Sequence, residues 1–235
     1  MKIKSLAQIA ILAGVMGLVI APVANAVDEG SIARGARLYD KWYSETGQEA
    51  PTEPHKLYPT DKKYAEDAKS NWRCKECHGW DGMGVLGAYS AGKHFSGIVG
   101  INGMKGADTS DIVMLLKAPA HGYGEYLGDT DLMDIANFVS NGQSDYASYV
   151  ANGKIVGDVA TGEQIFNTVC AGCHGADGKL PKGMPPLASL TGNPWELLHK
   201  VLNGQPNEAM PALRAFDHQA AADVIAYIDA KLPAE

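Results

Sequence analysis

Apolar residues recur three and four positions apart in several stretches of this chain, the spacing of a half-buried helix, and convincing strands are absent. Leu132, Ile135, Ala136 and Val139 make one such stripe, and Val224, Ile225 and Ile228 make another. The two belong to one pattern, because Asp134-Ile-Ala-Asn-Phe138-Val139 lies over Asp223-Val-Ile-Ala-Tyr227-Ile228 without a gap. Asp217 suits the N-cap of the second helix, since its side chain can accept from an otherwise unpaired N–H of the first turn; Thr130 suits the first, with Gly142 as its stop. A shorter helix is predicted before each, Thr109 to Lys117 and Pro194 to Asn203, with Pro194 in the first turn, where its missing N–H is not needed. Earlier still, Gly35-Ala-Arg-Leu-Tyr39 and Gly162-Glu-Gln-Ile-Phe166 share a Gly-x-x-x-aromatic spacing. One helical module is written twice.

The copies are unequal. The first carries about 31 extra residues, covering roughly 45–69 and including Pro51, Pro54, His55 and Pro59. Its prolines and charges predict a surface excursion, partly helical near Lys62 to Ala68, and a loop of that length is uncommon unless functional or disordered. A linker from about Gln143 to Asp158 joins the modules. The expected organisation is a signal peptide over 1–26, a first domain over 27–145 with the insertion, and a second over 146–235. For the leader, Lys2 and Lys4 precede an apolar run from Ile9 to Ile20, and Ala24-Asn25-Ala26 offers a small-x-small cleavage site. The alternative is an uncleaved anchor over Leu6 to Val23, nearly long enough to cross a bilayer.

The chemistry sits in the cysteines. All four fall in two pentapeptides, Cys74-Lys-Glu-Cys77-His78 and Cys170-Ala-Gly-Cys173-His174. Disulfides or a zinc site are the plainer uses of four exported cysteines, but a histidine directly after each pair points to two covalent c-type haems, each with two thioethers and a proximal imidazole. On a helix, positions three and four apart share a face, so each trio can converge on one porphyrin. The proximal ring needs its other nitrogen held by a carbonyl, and Met184-Pro-Pro-Leu187 is the expected source in the second module.

The sixth ligand decides between electron transfer and substrate chemistry. Met210, before Pro211, precedes Asp223 by the same interval that separates His121 from Asp134, so Met210 and His121 are the candidate sixth ligands of the second and first haems. A thioether at one iron and an imidazole at the other would separate the two potentials. Competitors at the first haem are His94, Met104, Met133 and His55, with Met133 expected in the core stripe. His199 and His218 read as surface or propionate-contacting residues, and Trp72, Trp80 and Trp195 as packing around porphyrin edges or in the core.

Composition changes little, being 46% hydrophobic and 20% charged, as in an ordinary globular protein. The formal charge of −7, about −9 without the leader's two lysines, argues against nucleic acid and anionic membrane surfaces and favours small molecules or basic patches, the latter expected as docking surfaces on redox partner proteins. Membrane association follows only if the N-terminus is not cleaved.

In these motifs the chain resembles the diheme class I cytochromes c of bacteria. Gly162 to Phe166, Cys170 to Gly175, Asp177-Gly178, Pro185-Pro-Leu187, Asn203-Gly204, Met210-Pro211 and the Ala226-Tyr-Ile228 helix carry the likeness in the second module. The opening and closing helices, Cys74 to Gly79 and Asp81-Gly82 carry it in the first. The resemblance implies a mainly α fold of two tandem cytochrome c-like helical domains, each wrapped around a covalent haem, with His174 and Met210 as axial ligands in the second. The first departs from the family pattern in its insertion and in lacking a Met-Pro before its closing helix. The function implied is periplasmic single-electron transfer between redox partners. The alternatives are a diheme oxidoreductase of the peroxidase or sulfur-compound dehydrogenase type, or the cytochrome subunit of a larger enzyme.

Overall fold

The computed structural model describes residues 28–235; the leader and its cleavage after Ala26 lie outside them. Nine α-helices order the described chain: α1 (Glu29–Glu45), α2 (Ala68–Asn71), α3 (Cys74–His78), α4 (Thr109–Lys117), α5 (Asp129–Asn141), α6 (Val159–Ile165), α7 (Ala171–His174), α8 (Pro194–Asn203) and α9 (His218–Lys231). None is long and apolar enough to cross a membrane.

Two helix crossings organise the core. Helix α1 packs on α5 and α6 packs on α9, and both crossings are made at a glycine. A methyl group on Gly35 would stand 1.9 Å from the Asp134 carbonyl oxygen, and one on Gly162 would stand 1.9 Å from that of Asp223. The repeated Gly and Asp thus meet each other in space. Both aspartates also tie the crossing by side chain: Asp134 accepts from Ser31 Oγ and from Arg34, and Asp223 accepts from the Asp158 N–H at 2.7 Å. Around the first crossing gather Leu38, Tyr39, Trp42, Leu132 and Ile135; around the second, Phe166, Leu198, Leu202 and Ile225.

Local signals account for most of the helix ends. Asp217 accepts from the Gln219 N–H at 3.0 Å, as its position suggests, and Pro194 opens α8. Helix α5, however, is not capped by Thr130. It starts after Gly128, whose N–H donates to Asp131 Oδ2 at 3.1 Å, because an aspartate in the first turn can reach back where the threonine is already helical. The linker is likewise more ordered than its composition suggested. Val150–Ala151 pairs antiparallel with Lys154–Ile155 across Asn152-Gly153, whose φ angles of 53° and 72° are those of a tight primed turn.

The insertion is not a surface excursion. It runs as successive turns, helical only from Ala68, and lays His55 and Tyr58 into the protein at 5% and 4% exposure. Trp72 Nε1 donates to the Glu53 carbonyl at 2.8 Å, and Asn71 Nδ2 donates to the carbonyls of Tyr64 and Ala65. His55 and Tyr58 are buried, its prolines are half-buried, and Lys56, Lys63 and Lys69 stay outside.

The two cores touch through a polar seam between α1 and α8. His199, expected near the surface, is 1% exposed. Tyr146 O–H donates to its Nδ1 at 3.3 Å while its Nε2 donates to the Ala36 carbonyl at 2.9 Å, and burial pushes its pKa down to about 4, so it is neutral. Asp40, 1% exposed, receives Lys200 Nζ at 3.0 Å and the Arg73 guanidinium. Burial alone would raise its carboxyl pKa, but Lys200 and Arg73 outweigh it and hold the group below the ordinary 3.8. That contribution to stability is complete above the ordinary value and drains away as pH falls through the lower folded one. Asp40→Asn should cost roughly 3 kcal/mol near neutrality, because two cations lose their carboxylate. It should also flatten the acid limb of a Tm profile taken from about pH 6 to pH 2.

Candidate functional site

Helix α3 brings Cys74, Cys77 and His78 onto one face, and Gly79, at φ 81°, ends it so that the chain can turn back over the histidine. That return delivers the Val99 carbonyl to His78 Nδ1 at 2.7 Å. With Nδ1 donating to a carbonyl, Nε2 is the unprotonated nitrogen that can bind a metal, and burial holds the ring's pKa below 6.5 so that it stays neutral. Burial pushes the Cys74 thiol up to about 11 and the Cys77 thiol up to about 12. Both are therefore neutral thiols rather than thiolate ligands.

Cys74, Cys77 and His78 open onto an apolar cavity of about 370 Å³. Tyr39, Ile112, Leu116, Ile135 and Val139 form its floor, and His121, Met104 and His55 also line it. His121 comes from the turn after α4, and burial holds its imidazole below the ordinary value against the opposing pull of the Leu115 backbone. Of the competitors at this site, His94 is placed elsewhere: its Nδ1 meets Glu76 at 2.7 Å and its ring is stacked between Tyr64 and Tyr89. Met133 is 40% exposed on the outer side of α5, not in the core stripe. None of the three tryptophans lines the cavity. Trp72 packs on Tyr123 and His55, Trp80 lies in the seam against His199, and Trp195 packs on the second core.

The second motif repeats the arrangement. A π-helical turn, Phe166–Cys170, feeds α7, and Gly175 ends α7 at φ 75°. The carbonyl facing His174 Nδ1, at 3.2 Å, is that of Leu180 rather than one from Met184 to Leu187. Leu180 N–H in turn donates to the His174 carbonyl at 2.9 Å, as Gly84 N–H does to His78 at 2.8 Å, so the loop closes on the histidine from both sides. Cys170 is partly buried, its thiol pushed up to about 11, and Cys173 is exposed. Met210 packs against the second core. Its loop depends on Gly204, at φ 86°, where a methyl group would stand 2.7 Å from the Met210 carbonyl. Gly204→Ala should therefore displace the Met210 loop. If Met210 ligates iron, as the sequence reading expects, the haem-loaded variant should show a weakened methionine–iron charge-transfer absorption with the protein still folded.

This donor set fits a covalently held haem. Two thiols one helical turn apart are followed by a neutral imidazole with a carbonyl behind it, and in the first case a second imidazole lines the same apolar cavity.

Residues 157–228 match the model of the family described as cytochrome C oxidase, cbb3-type, subunit III, and carry a cytochrome c domain. No protein of curated function matches the chain. Among solved structures, the chain is similar to cytochrome cL of Methylophaga aminisulfidivorans at 17% identity, over 40% of this chain and 67% of that one, with a TM-score of 0.31. It is similar to the sulfane dehydrogenase SoxCD of Paracoccus pantotrophus at 20% identity, over 39% and 57%, with a TM-score of 0.25. A reducing HAO-like protein complex of Kuenenia stuttgartiensis gives 14% identity over 79% of this chain and all of that one, with a TM-score of 0.29.

Proposed function

We propose that this chain is a periplasmic diheme c-type cytochrome that passes single electrons between redox partner proteins. Cys74 and Cys77 would hold one porphyrin and Cys170 and Cys173 the other, with His78 and His174 as proximal ligands. His121 and Met210 would be the sixth ligands. Bound haem supplies a one-electron ferric/ferrous couple. The protein's part is to fix and shield it. The Val99 and Leu180 carbonyls orient the proximal rings, and the apolar floor of the first cavity keeps water from the metal position.

The observation that carries the reading is His121 lining the cavity with His78. With protein ligands for both axial positions, an iron held there offers no place to a substrate, which favours a carrier over an oxidoreductase. Imidazole at one iron and thioether at the other would set the first haem at the lower potential, giving electrons a downhill step. The leader supports export, and the acidic balance supports partners with basic docking patches, an attraction that salt weakens.

The test is a redox titration of the purified holoprotein followed by low-temperature EPR. Two low-spin haems with separate potentials are expected, and Met210→Ala should convert one to high spin and leave the other unchanged. A resting high-spin haem that binds added ligand would overturn the carrier reading in favour of substrate chemistry at that iron.

A further inference from the structure

His55 is the one imidazole of the insertion, and both of its ring nitrogens are already engaged. Leu57 N–H donates to Nδ1 at 3.2 Å, so the proton sits on Nε2, and Nε2 donates to the carbonyl of His121 at 3.0 Å. The ring is 5% exposed and wedged edge-on against Trp72, with centroids 4.4 Å apart, and beside Tyr123. Its own N–H donates to Asn71 Oδ1 at 2.9 Å, and Asn71 is fully buried and bonded back to the insertion. The imidazole is therefore fixed in tautomer, orientation and depth before it meets His121. To ligate a metal it would have to give up one of these bonds.

The group it grips needs holding. His121 lies in a turn between Ala118 and Gly122, the latter at φ 69°, and the backbone bond across it runs from Gly122 N–H to the Ala118 carbonyl. That N–H shares one planar peptide unit with the His121 carbonyl, so the bond holds one edge of the plane and leaves the carbonyl edge to another partner. The bond from His55 holds that carbonyl edge, and a plane pinned at both edges limits the directions in which the His121 side chain can leave the backbone.

We propose that His55 is a positioning residue for the sixth ligand of the first haem, and that the insertion is a clamp whose tip is this neutral imidazole. The proposal rests on the reading of His121 as that ligand. It gives the insertion a purpose confined to the first haem: to slow the escape of His121 from iron and so keep foreign ligands out. The loop that carries Met210 is held by other means.

The test is the rate at which cyanide enters the ferric haems of the full-length holoprotein, followed by stopped-flow absorbance. His55→Phe keeps an aromatic ring and removes the donor; His55→Gln restores an N–H on a chain of similar reach. In His55→Phe both haems should rest low-spin, and the first should take up cyanide roughly tenfold faster, the effect of one lost buried hydrogen bond. The second haem should be unchanged, and His55→Gln should return to within about threefold of the unmodified protein. An unchanged or slower rate in His55→Phe overturns the clamp. If that variant does not accumulate with both haems, His55→Leu is judged by the same rate. His121→Ala separates the two claims: a first haem that stays low-spin in it defeats the ligand assignment, whatever His55 does. A first haem turned high-spin by His55→Phe but not by His121→Ala makes His55 itself the ligand.

Discussion

Gly35→Ala and Gly162→Ala should each cost at least about 3 kcal/mol, although alanine is ordinarily the better helix former by roughly 1 kcal/mol. Neither glycine has a positive φ, so backbone freedom is not what they supply. They supply room. A methyl group at either position would lie 1.9 Å from the carbonyl oxygen of Asp134 or Asp223, with the Cβ of Phe138 or Tyr227 within 3.0 Å behind it. Those atoms belong to a helix backbone and to the first atom of a side chain, and neither can swing aside. The helices would have to separate, taking with them the Asp134–Ser31 and Asp223–Asp158 contacts that tie each crossing. Against a total stability of about 5–15 kcal/mol, such a loss is large. Denaturant titration of the holoproteins measures it. A Gly35→Ala protein as stable as its parent would mean that α1 and α5 do not cross where they are described.

His121→Ala should have the largest effect on the metal centres. On the proposed diheme reading, His78 would then be the sole axial ligand, the first haem would become five-coordinate and high-spin, and its affinity for added cyanide or imidazole should rise on the order of a hundredfold or more. The haem at Cys170 and Cys173 should keep its spectrum and its potential. Paired absorbance and EPR spectra of the ferric protein read both effects at once. A first haem that remains low-spin would point to Met104, a sulfur on the cavity wall, or to His55 if His55→Phe turns it high-spin.

How much of this was written in the chain differs from element to element. Helices α4 and α8 begin and end at the residues the sequence suggests, because each carries its own punctuation: Asp108 as cap and Pro119 just past the end for α4, and Asn193 as cap, Pro194 in the first turn and Gly204 after the end for α8. The pairing of His121 with the first motif follows from the repeat, since position within a duplicated module is information that survives an insertion elsewhere. What the sequence could not give is whatever depends on which surface a segment meets. His199 looks like any helical histidine until α1 is laid across it. The insertion looks solvated because lysine and proline outnumber its buried groups, yet three residues, His55, Tyr58 and Trp72 beyond its end, decide its course. The proline-rich run from Met184 to Leu187 looks like the natural source of the carbonyl behind His174, but the tighter turn from Gly175 to Leu180 reaches the ring first. The hairpin at 150–155 did leave a signal, in Asn152-Gly153.

The seam between α1 and α8 bears on how the molecule works as a conductor. Asp40 binds Arg73, the residue before the first cysteine motif, and Lys200 of α8, while Arg214 joins Glu29, Asn203 and the Gly142 carbonyl. The Asp40–Lys200, Arg214–Glu29 and Arg214–Gly142 bonds cross from one core to the other along α1, and His199 lies between them. The two halves are thereby tied to one another at several points along α1. On the diheme reading, the separation between the metal centres is a constant of the fold rather than a fluctuating quantity. Electron hopping inside the molecule would then be insensitive to solvent viscosity, and the only slow encounters in its working cycle would be those with its partners.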